Sequence, residues 1–379
     1  MNELVALDLP GGPAFVDALV RAWEADDAVL PVDQRLPPAA KAALFATIRP
    51  GIIIDSSGAR RVPASVPIVS GDALVIATSG TSGEPKGVVL THDALRASSA
   101  ATSARLQVDP DRDRWLACLP LSHVGGLCVV VRALHTSTPL TVLPSFDAVA
   151  VDEAASAGAG RATLVSLVPT ALARIDPTRW RTIVLGGSAM PAVLPANTTR
   201  TYGLTETGSG VVYDGLALDG VEVRIVDGEI QLRCPMLLRA YRTDDPEGVD
   251  PRTHEGWFAT RDAGAFEADG TLRVRGRLGD VIVTGGEKVW PEPIENVLLG
   301  APGVVDVAVA GRPDAEWGAI VVAYVVPTDP AQPPNLSALR ELVKQTLPAY
   351  CAPQRLVVVD DIPRTAIGKV RRTALPADV

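Results

Sequence analysis

Thr78-Ser79-Gly80-Thr81-Ser82-Gly83-Glu84-Pro85-Lys86-Gly87-Val88 packs hydroxyls and glycines between two apolar runs, 73–77 and 87–90. Glycines let backbone N–H groups come close to an anion, the hydroxyls add donors, and Lys86 supplies a charge on a mobile stem. Pro85-Lys86-Gly87 is not linker chemistry, and the flanking strands fix both ends of the loop. The spacing is not G-x-x-x-x-G-K-[ST], and a strand pattern rather than a helix follows Lys86, which argues against a Walker-type NTPase.

Outward from this loop, β-branched runs such as 181–185 alternate with alanine-rich stretches that read as helices, for example 93–106. This alternation predicts an α/β fold. Past residue 215, closely spaced short strands at 221–225, 229–233 and 271–275, with loops such as 244–256, predict a β-rich subdomain. The last segment carries a strand at 280–284, a helix at 292–299, runs at 304–310 and 320–326, a helix near 336–347, a strand at 355–359 and a basic tail. The expected organisation is a large N-terminal α/β domain over 1–275, a hinge at 276–280 and a small, mobile C-terminal α+β domain over 281–379. Gly276 and Gly279 can absorb large backbone rotations there, or simply form a surface turn.

The chain has 379 residues, and 44 Asp plus Glu against 35 Lys plus Arg give a formal net charge of −9. That balance argues against a nucleic-acid partner. At 47% hydrophobic and 21% charged, there is ample material for a buried core, and disorder is excluded as the main state. No apolar run reaches the roughly 18 residues of a membrane span, so no membrane insertion is expected. The N-terminus carries Glu3 and Asp8 where a signal peptide would be basic, and a cytoplasmic location is expected. Cys118, Cys128, Cys234 and Cys351 form no C-x-x-C pair and read as small core hydrophobes. His92, His123, His135 and His254 show no metal-ligand spacing, so any metal arrives with its substrate. The apolar content is compatible with a homodimer.

Further motifs follow in order. Leu119-Pro120-Leu121-Ser122-His123-Val124-Gly125-Gly126 is a turn with glycines behind a histidine, and Gly186-Gly187-Ser188 ends a buried-looking strand. Tyr202-Gly203-Leu204-Thr205-Glu206-Thr207 sets a hydroxyl beside a carboxylate after an aromatic residue and a glycine. Such a pair can place a hydroxyl on phosphate and a carboxylate on magnesium, which prefers one or two carboxylates plus phosphate oxygens. Gly256-Trp-Phe-Ala-Thr-Arg-Asp262, Gly276-Arg277-Leu278-Gly279-Asp280, Gly285-Gly286-Glu-Lys-Val289 and Pro363-Arg-Thr-Ala-Ile-Gly-Lys369 complete the set. Together with the 78–88 loop, and in this order across most of the chain, they resemble the adenylate-forming enzymes: acyl-CoA synthetases, firefly-type luciferases and the adenylation domains of peptide synthetases.

The resemblance implies a two-step reaction. A carboxylate joins the α-phosphate of ATP with loss of pyrophosphate, and the acyl group then passes from AMP to the thiol of coenzyme A. Such a site must stabilise charge growing on the α-phosphoryl oxygens. Lys369 is the implied cation, with Lys86, Thr205 and Glu206 as further catalytic residues and Glu206 as ligand of the Mg2+ that accompanies ATP. The nucleotide would rest on Thr78, Ser79, Gly80, Thr81, Ser82 and Gly83, with Gly186, Gly187 and Ser188 lining the adenine pocket. Tyr202 would stack on adenine beside Gly203, Asp262 would accept from the ribose hydroxyls, and Arg277 would donate from the linker side. Rotation about the hinge would exchange Lys369 for the face of Gly285 and Gly286 in the CoA step. Relatives usually carry Asp or Lys at the position of Gly279. Arg371 and Arg372, close to Lys369, read as solvated.

The chain is compact for this superfamily. Ser166-Leu-Val-Pro-Thr-Ala171, Ile183-Val-Leu-Gly-Gly-Ser188 and Val212-Tyr-Asp-Gly-Leu-Ala-Leu-Asp-Gly220 resemble the o-succinylbenzoate–CoA ligases of menaquinone biosynthesis, particularly the actinobacterial type. A dicarboxylic substrate is then implied, one carboxylate being activated and the other held by a cationic or polar group. His123 either borders the acid or caps a helix. Arg132, in the apolar run 127–134, holds the second carboxylate if helical spacing turns it to the acid pocket. Otherwise it snorkels from a helix to solvent. A ligase for another aromatic or medium-chain acid fits the same motifs, and from a different class a catalytically silent nucleotide-binding protein fits them too.

Overall fold

The computed structural model describes residues 2–79, 85–156, 158, 160–187, 193–364 and 370–377. The chain divides into two compact units, one made of 1–186, 195–223 and 231–259, the other of 187–194, 224–230 and 260–379. The architecture is α/β throughout the first unit and α+β in the C-terminal part of the second.

Two seven-stranded sheets build the first unit. One runs in the order Ala240–Tyr241, Pro85–Thr91, Asp72–Ser79, Ala28–Pro31, Leu4–Leu7, Ile52–Asp55, Gly58–Arg61. Its centre is parallel and its outer pairs are antiparallel. The inner strands Ala28–Pro31 and Leu4–Leu7 are buried at every position, as expected of parallel strands covered on both faces. The other sheet runs Leu216–Ala217, Gly210–Tyr213, Thr198–Gly203, Thr182–Leu185, Leu164–Leu167, Trp115–Ala117, Leu140–Val142. It is parallel from Thr198–Gly203 onward, and the last two strands of its other end are antiparallel.

The helix His92–Arg105 starts where Thr91 Oγ1 accepts the amide of Ala94 at 3.1 Å. Asp93 in its first turn and Arg105 in its last complement the helix dipole. The helix Val124–His135 buries Leu127, Val129, Val130, Val131 and Ala133, so it is an interior helix rather than an amphipathic one. Trp115, Leu127, Val130 and Tyr213 belong to the same core cluster, which puts the second half of this helix directly over the second sheet.

In the β-rich block, four strands take the order Glu222–Val226, Glu229–Arg233, Phe258–Phe266, Leu272–Arg277. The last two form an antiparallel hairpin that pairs Asp262 with Arg277 and Ala263 with Gly276. The segment expected to be a hinge is thus half strand, since pairing continues through Arg277 before a 3-10 turn at Leu278–Asp280. Beyond it, the strands Val304–Asp314, Gly318–Pro327 and Arg355–Val358 form a sheet, with the helices Pro291–Leu299 and Leu336–Lys344 and the small hairpin Ile282–Thr284/Glu287–Val289. Ile282, Val289, Ile294, Leu298, Val309, Val321 and Val343 share its core. Pro291 opens the first of these helices, where its missing N–H costs nothing, and Asn335 caps the second by accepting the Ser337 amide at 2.7 Å.

Candidate active site

Helix Val124–His135 carries both residues expected at the acid. Its start is held tightly, because a Cβ on Gly126 would lie 2.4 Å from the carbonyl oxygen of Leu119 and only glycine permits that approach. His123 occupies the N-cap position without capping through its side chain. Its Nε2 instead lies 3.6 Å from Asp33 Oδ2, beyond hydrogen-bond reach but close enough for charge to be felt. Burial pushes the imidazole down to about 4, against the opposing pull of Asp33, so it is neutral near pH 7. Burial pushes the Asp33 carboxyl up, but the Arg35 fork, at 2.9 and 2.7 Å, holds it below the usual carboxylate range.

Arg132 does not snorkel. It is 2% exposed, and its guanidinium lies over the Trp115 ring with 4.9 Å between centres. Nη2 donates to Ser209 Oγ at 3.0 Å and sits 3.9 Å from Cys128 Sγ, whereas Nε and Nη1 meet no hydrogen-bond partner among the described residues. A guanidinium away from water with two idle nitrogens, carrying three N–H groups, costs several kcal/mol, an arrangement that favours an incoming anion.

The strand Thr198–Gly203 presents Tyr202, half-buried and opposite Val212. Gly203 follows at a register shift, where a Cβ would lie 2.2 Å from the carbonyl oxygen of Ser209. The 3-10 turn Thr205–Thr207 then carries Thr205 and Glu206. Thr207 is fully buried and ties the turn down: its Oγ1 accepts the Leu204 amide at 2.9 Å and donates to Ser209 O at 2.7 Å. Tyr241 donates its hydroxyl to Glu206 Oε1 at 2.9 Å, and Lys86 Nζ lies 5.5 Å from the centre of the Tyr241 ring. Lys86 and Glu206 thus meet across one tyrosine. Thr78 faces Lys86 across the strand pair and donates to its carbonyl at 3.4 Å. Gly186 lies at the end of Thr182–Leu185, where a Cβ would come 3.0 Å from Thr201 Oγ1.

In the second unit, Asp262 is buried and Arg277 Nε reaches its Oδ1 at 2.9 Å, while Arg277 Nη1 donates to the Thr260 carbonyl at 3.0 Å. Gly285 and Gly286 turn the small hairpin at φ +56 and +86, and Trp317 closes on Gly285. Gly187 also has a positive φ, of +108. Gly279 lies in the 3-10 turn with open space around it. Arg372 is not solvated as its basic surroundings suggest: it pairs with the buried Glu295 at 2.9 Å. Gly80, Thr81, Ser82, Gly83, Ser188 and Lys369 lie outside the described residues, as does the side chain of Ser79.

Among the described residues no cluster of three or more His, Cys, Asp or Glu could hold a metal. A single carboxylate such as Glu206 suits magnesium that is already bound to phosphate oxygens. Sequence reasoning missed Tyr241, Ser209, Trp115 and Asp33, each of which meets its partner over a long stretch of chain. No helix among the described residues is long and apolar enough to cross a membrane.

Residues 55–236 match the family of AMP-binding enzymes, and residues 293–369 match the AMP-binding enzyme C-terminal domain. The chain is 41% identical over 325 residues to a probable 2-succinylbenzoate–CoA ligase of Mycobacterium tuberculosis, covering 80% of this chain and 83% of that one. It is 30% identical to a long-chain-fatty-acid–CoA ligase of the same species, over 86% of this chain and 73% of that one. Among solved structures, an o-succinylbenzoate CoA synthetase from Bacillus subtilis in complex with its acyl-adenylate intermediate superposes with a TM-score of 0.85 at 25% identity, over 98% of this chain and 88% of that one. The same Bacillus protein with ATP and a magnesium ion also gives a TM-score of 0.85.

Proposed function

We propose, for a chain that belongs to the family of AMP-binding enzymes, the ATP-dependent ligation of 2-succinylbenzoate to coenzyme A through an acyl-adenylate. In the first step a succinyl carboxylate oxygen attacks the α-phosphorus of ATP and pyrophosphate leaves. In the second the thiol sulfur of coenzyme A attacks the acyl carbonyl carbon, the thiol proton is lost, and AMP leaves.

The observation that carries this reading is the buried guanidinium of Arg132 with two nitrogens that have no partner among the described residues. An acid with a second, remote carboxylate would satisfy them, with charge-assisted hydrogen bonds in a dry setting. The fatty-acid relative suggests an alkyl chain instead. That alternative is the weaker one, because an alkyl tail would leave the cation buried and uncompensated.

The remaining roles follow from chemistry and family resemblance. Glu206, oriented by Tyr241, would hold magnesium, which supplies charge neutralisation of the ATP phosphates when bound. Lys86 and Lys369 would stabilise the phosphoryl oxygens as charge accumulates. Tyr202, Gly203, Gly186, Gly187 and Ser188 would surround adenine, Thr78, Ser79, Gly80, Thr81, Ser82 and Gly83 the phosphates, and Asp262 with Arg277 the ribose. His123, neutral at pH 7, would border the acid without competing for its carboxylates. Gly285 and Gly286 would serve the coenzyme A step. A cytoplasmic location and a homodimer are proposed on sequence grounds.

The test is acid-dependent ATP–pyrophosphate exchange with magnesium, comparing 2-succinylbenzoate with benzoate, octanoate and palmitate. Strong exchange with 2-succinylbenzoate alone is expected. Exchange with palmitate instead would move the substrate to the fatty-acid class, and none with any acid would revive a silent nucleotide binder.

A further inference from the structure

Arg132 has five N–H donors and no means of losing its charge. Trp115 covers a face of the guanidinium, and one nitrogen, Nη2, is anchored to Ser209 Oγ at 3.0 Å, which leaves Nε and Nη1 buried without a partner among the described residues. Ser209 is itself 7% exposed. Thr207 Oγ1 donates to its carbonyl at 2.7 Å, and Gly203 runs so close to that same oxygen that a Cβ there would lie 2.2 Å from it. The main chain that carries the hydroxyl is thus held on both sides, and the hydroxyl itself donates to Cys128 Sγ at 3.6 Å, which leaves its oxygen to accept from the longer, more flexible arginine. Cys128 Sγ, the other neighbour of Nη2 at 3.9 Å, is a weak acceptor and offers little hold.

We infer that Ser209 is a positioning residue that aims the free N–H groups of Arg132 at the second carboxylate of a dicarboxylic acid. This rests on the ligase reading above and adds to it a determinant of specificity located on the nucleotide-side loop rather than on the acid helix. A guanidinium held at one nitrogen meets a carboxylate with its direction already set, so less side-chain freedom is lost on binding. Without the hydroxyl, Nη2 joins the other two nitrogens in lacking a good acceptor, and the side chain turns to find one.

The experiment compares two acids on the same enzyme. 3-Benzoylpropionate is 2-succinylbenzoate without the ring carboxylate, so the ratio of kcat/KM for the two, read by pyrophosphate exchange, isolates what that carboxylate contributes. Any inactive fraction of protein cancels in the ratio. Ser209→Ala is expected to lower the ratio about tenfold, the loss of one hydrogen bond to a charged group. Ser209→Thr, which keeps the hydroxyl, is expected to restore it to within about threefold. A large wild-type ratio that survives Ser209→Ala overturns the role of Ser209 and leaves that of Arg132 standing. A Ser209→Thr ratio as low as that of Ser209→Ala assigns the loss to packing and also overturns it. A wild-type ratio near one overturns the dicarboxylate reading, and this inference with it.

Discussion

The Tyr241 hydroxyl donates to Glu206 at 2.9 Å, although the two residues lie 35 positions apart and on different elements. The carboxylate at the centre of the nucleotide motif is therefore oriented from outside that motif, by a ring that also faces Lys86. Tyr241→Phe should raise KM for Mg-ATP about tenfold, the equivalent of one hydrogen bond to a charged group at the lower end of its range. KM for the acid should change less. Steady-state kinetics at varied magnesium check this, and a larger effect on the acid would place Tyr241 elsewhere in the reaction.

Arg132→Met should separate function from stability. Acid kcat/KM should fall by at least about thirtyfold, as when one partner of a desolvated charge pair is removed. Stability without ligand should stay equal or rise, because a buried cation held by one hydrogen bond and one ring, with two nitrogens unpaired, is exchanged for a side chain of similar size that packs well. Urea unfolding and pyrophosphate exchange on the same preparation test both halves. A strongly destabilised variant would show that the arginine is satisfied in the free enzyme.

His123 gives stability a defined pH dependence. Its pKa is pushed from 6.5 to about 4 in the folded chain, so the unfolded chain binds the extra proton first. The stabilisation is complete above pH 6.5 and is lost progressively as pH falls toward 4, by up to about 3 kcal/mol. Asp33, held low by Arg35, stays ionised over most of that window. His123→Gln should flatten this part of the stability profile measured by urea unfolding. A profile that keeps its slope would mean the histidine is open to water.

Lys369→Ala should slow adenylate formation by about 10²–10³. Thioester formation from supplied acyl-adenylate and coenzyme A should be far less affected. Single-turnover measurements of each half-reaction distinguish this from a general loss, which would appear equally in both.

The strands were legible because their causes are local. The run around Val88 and Val89 reads as buried strand, and Pro85–Thr91 forms it. Arg132 was legible as a charge inside an apolar run, but its alternatives were not separable there, since burial depends on Trp115 and Ser209, 17 positions before and 77 after it in the chain. Asp33 beside His123 and Glu295 beside Arg372 are of the same kind: two unremarkable acids acquire meaning only when distant segments fold against them. The glycines of 276–280 fit a hinge or a surface turn equally well in the sequence, and the pairing of Gly276 with Ala263 across the hairpin is a feature that glycine content does not announce.

The close contact between Gly126 and the Leu119 backbone also limits how this protein can change its substrate. A helix pinned at its first turn cannot slide along its axis, so on the proposed reading the depth at which Arg132 would meet an acid is fixed by counting residues along that helix. A longer or shorter acid would then not be accommodated by a shift of this helix. New substrate lengths have to be reached by moving the charge to another turn of the helix, a step of about 5.4 Å at a time.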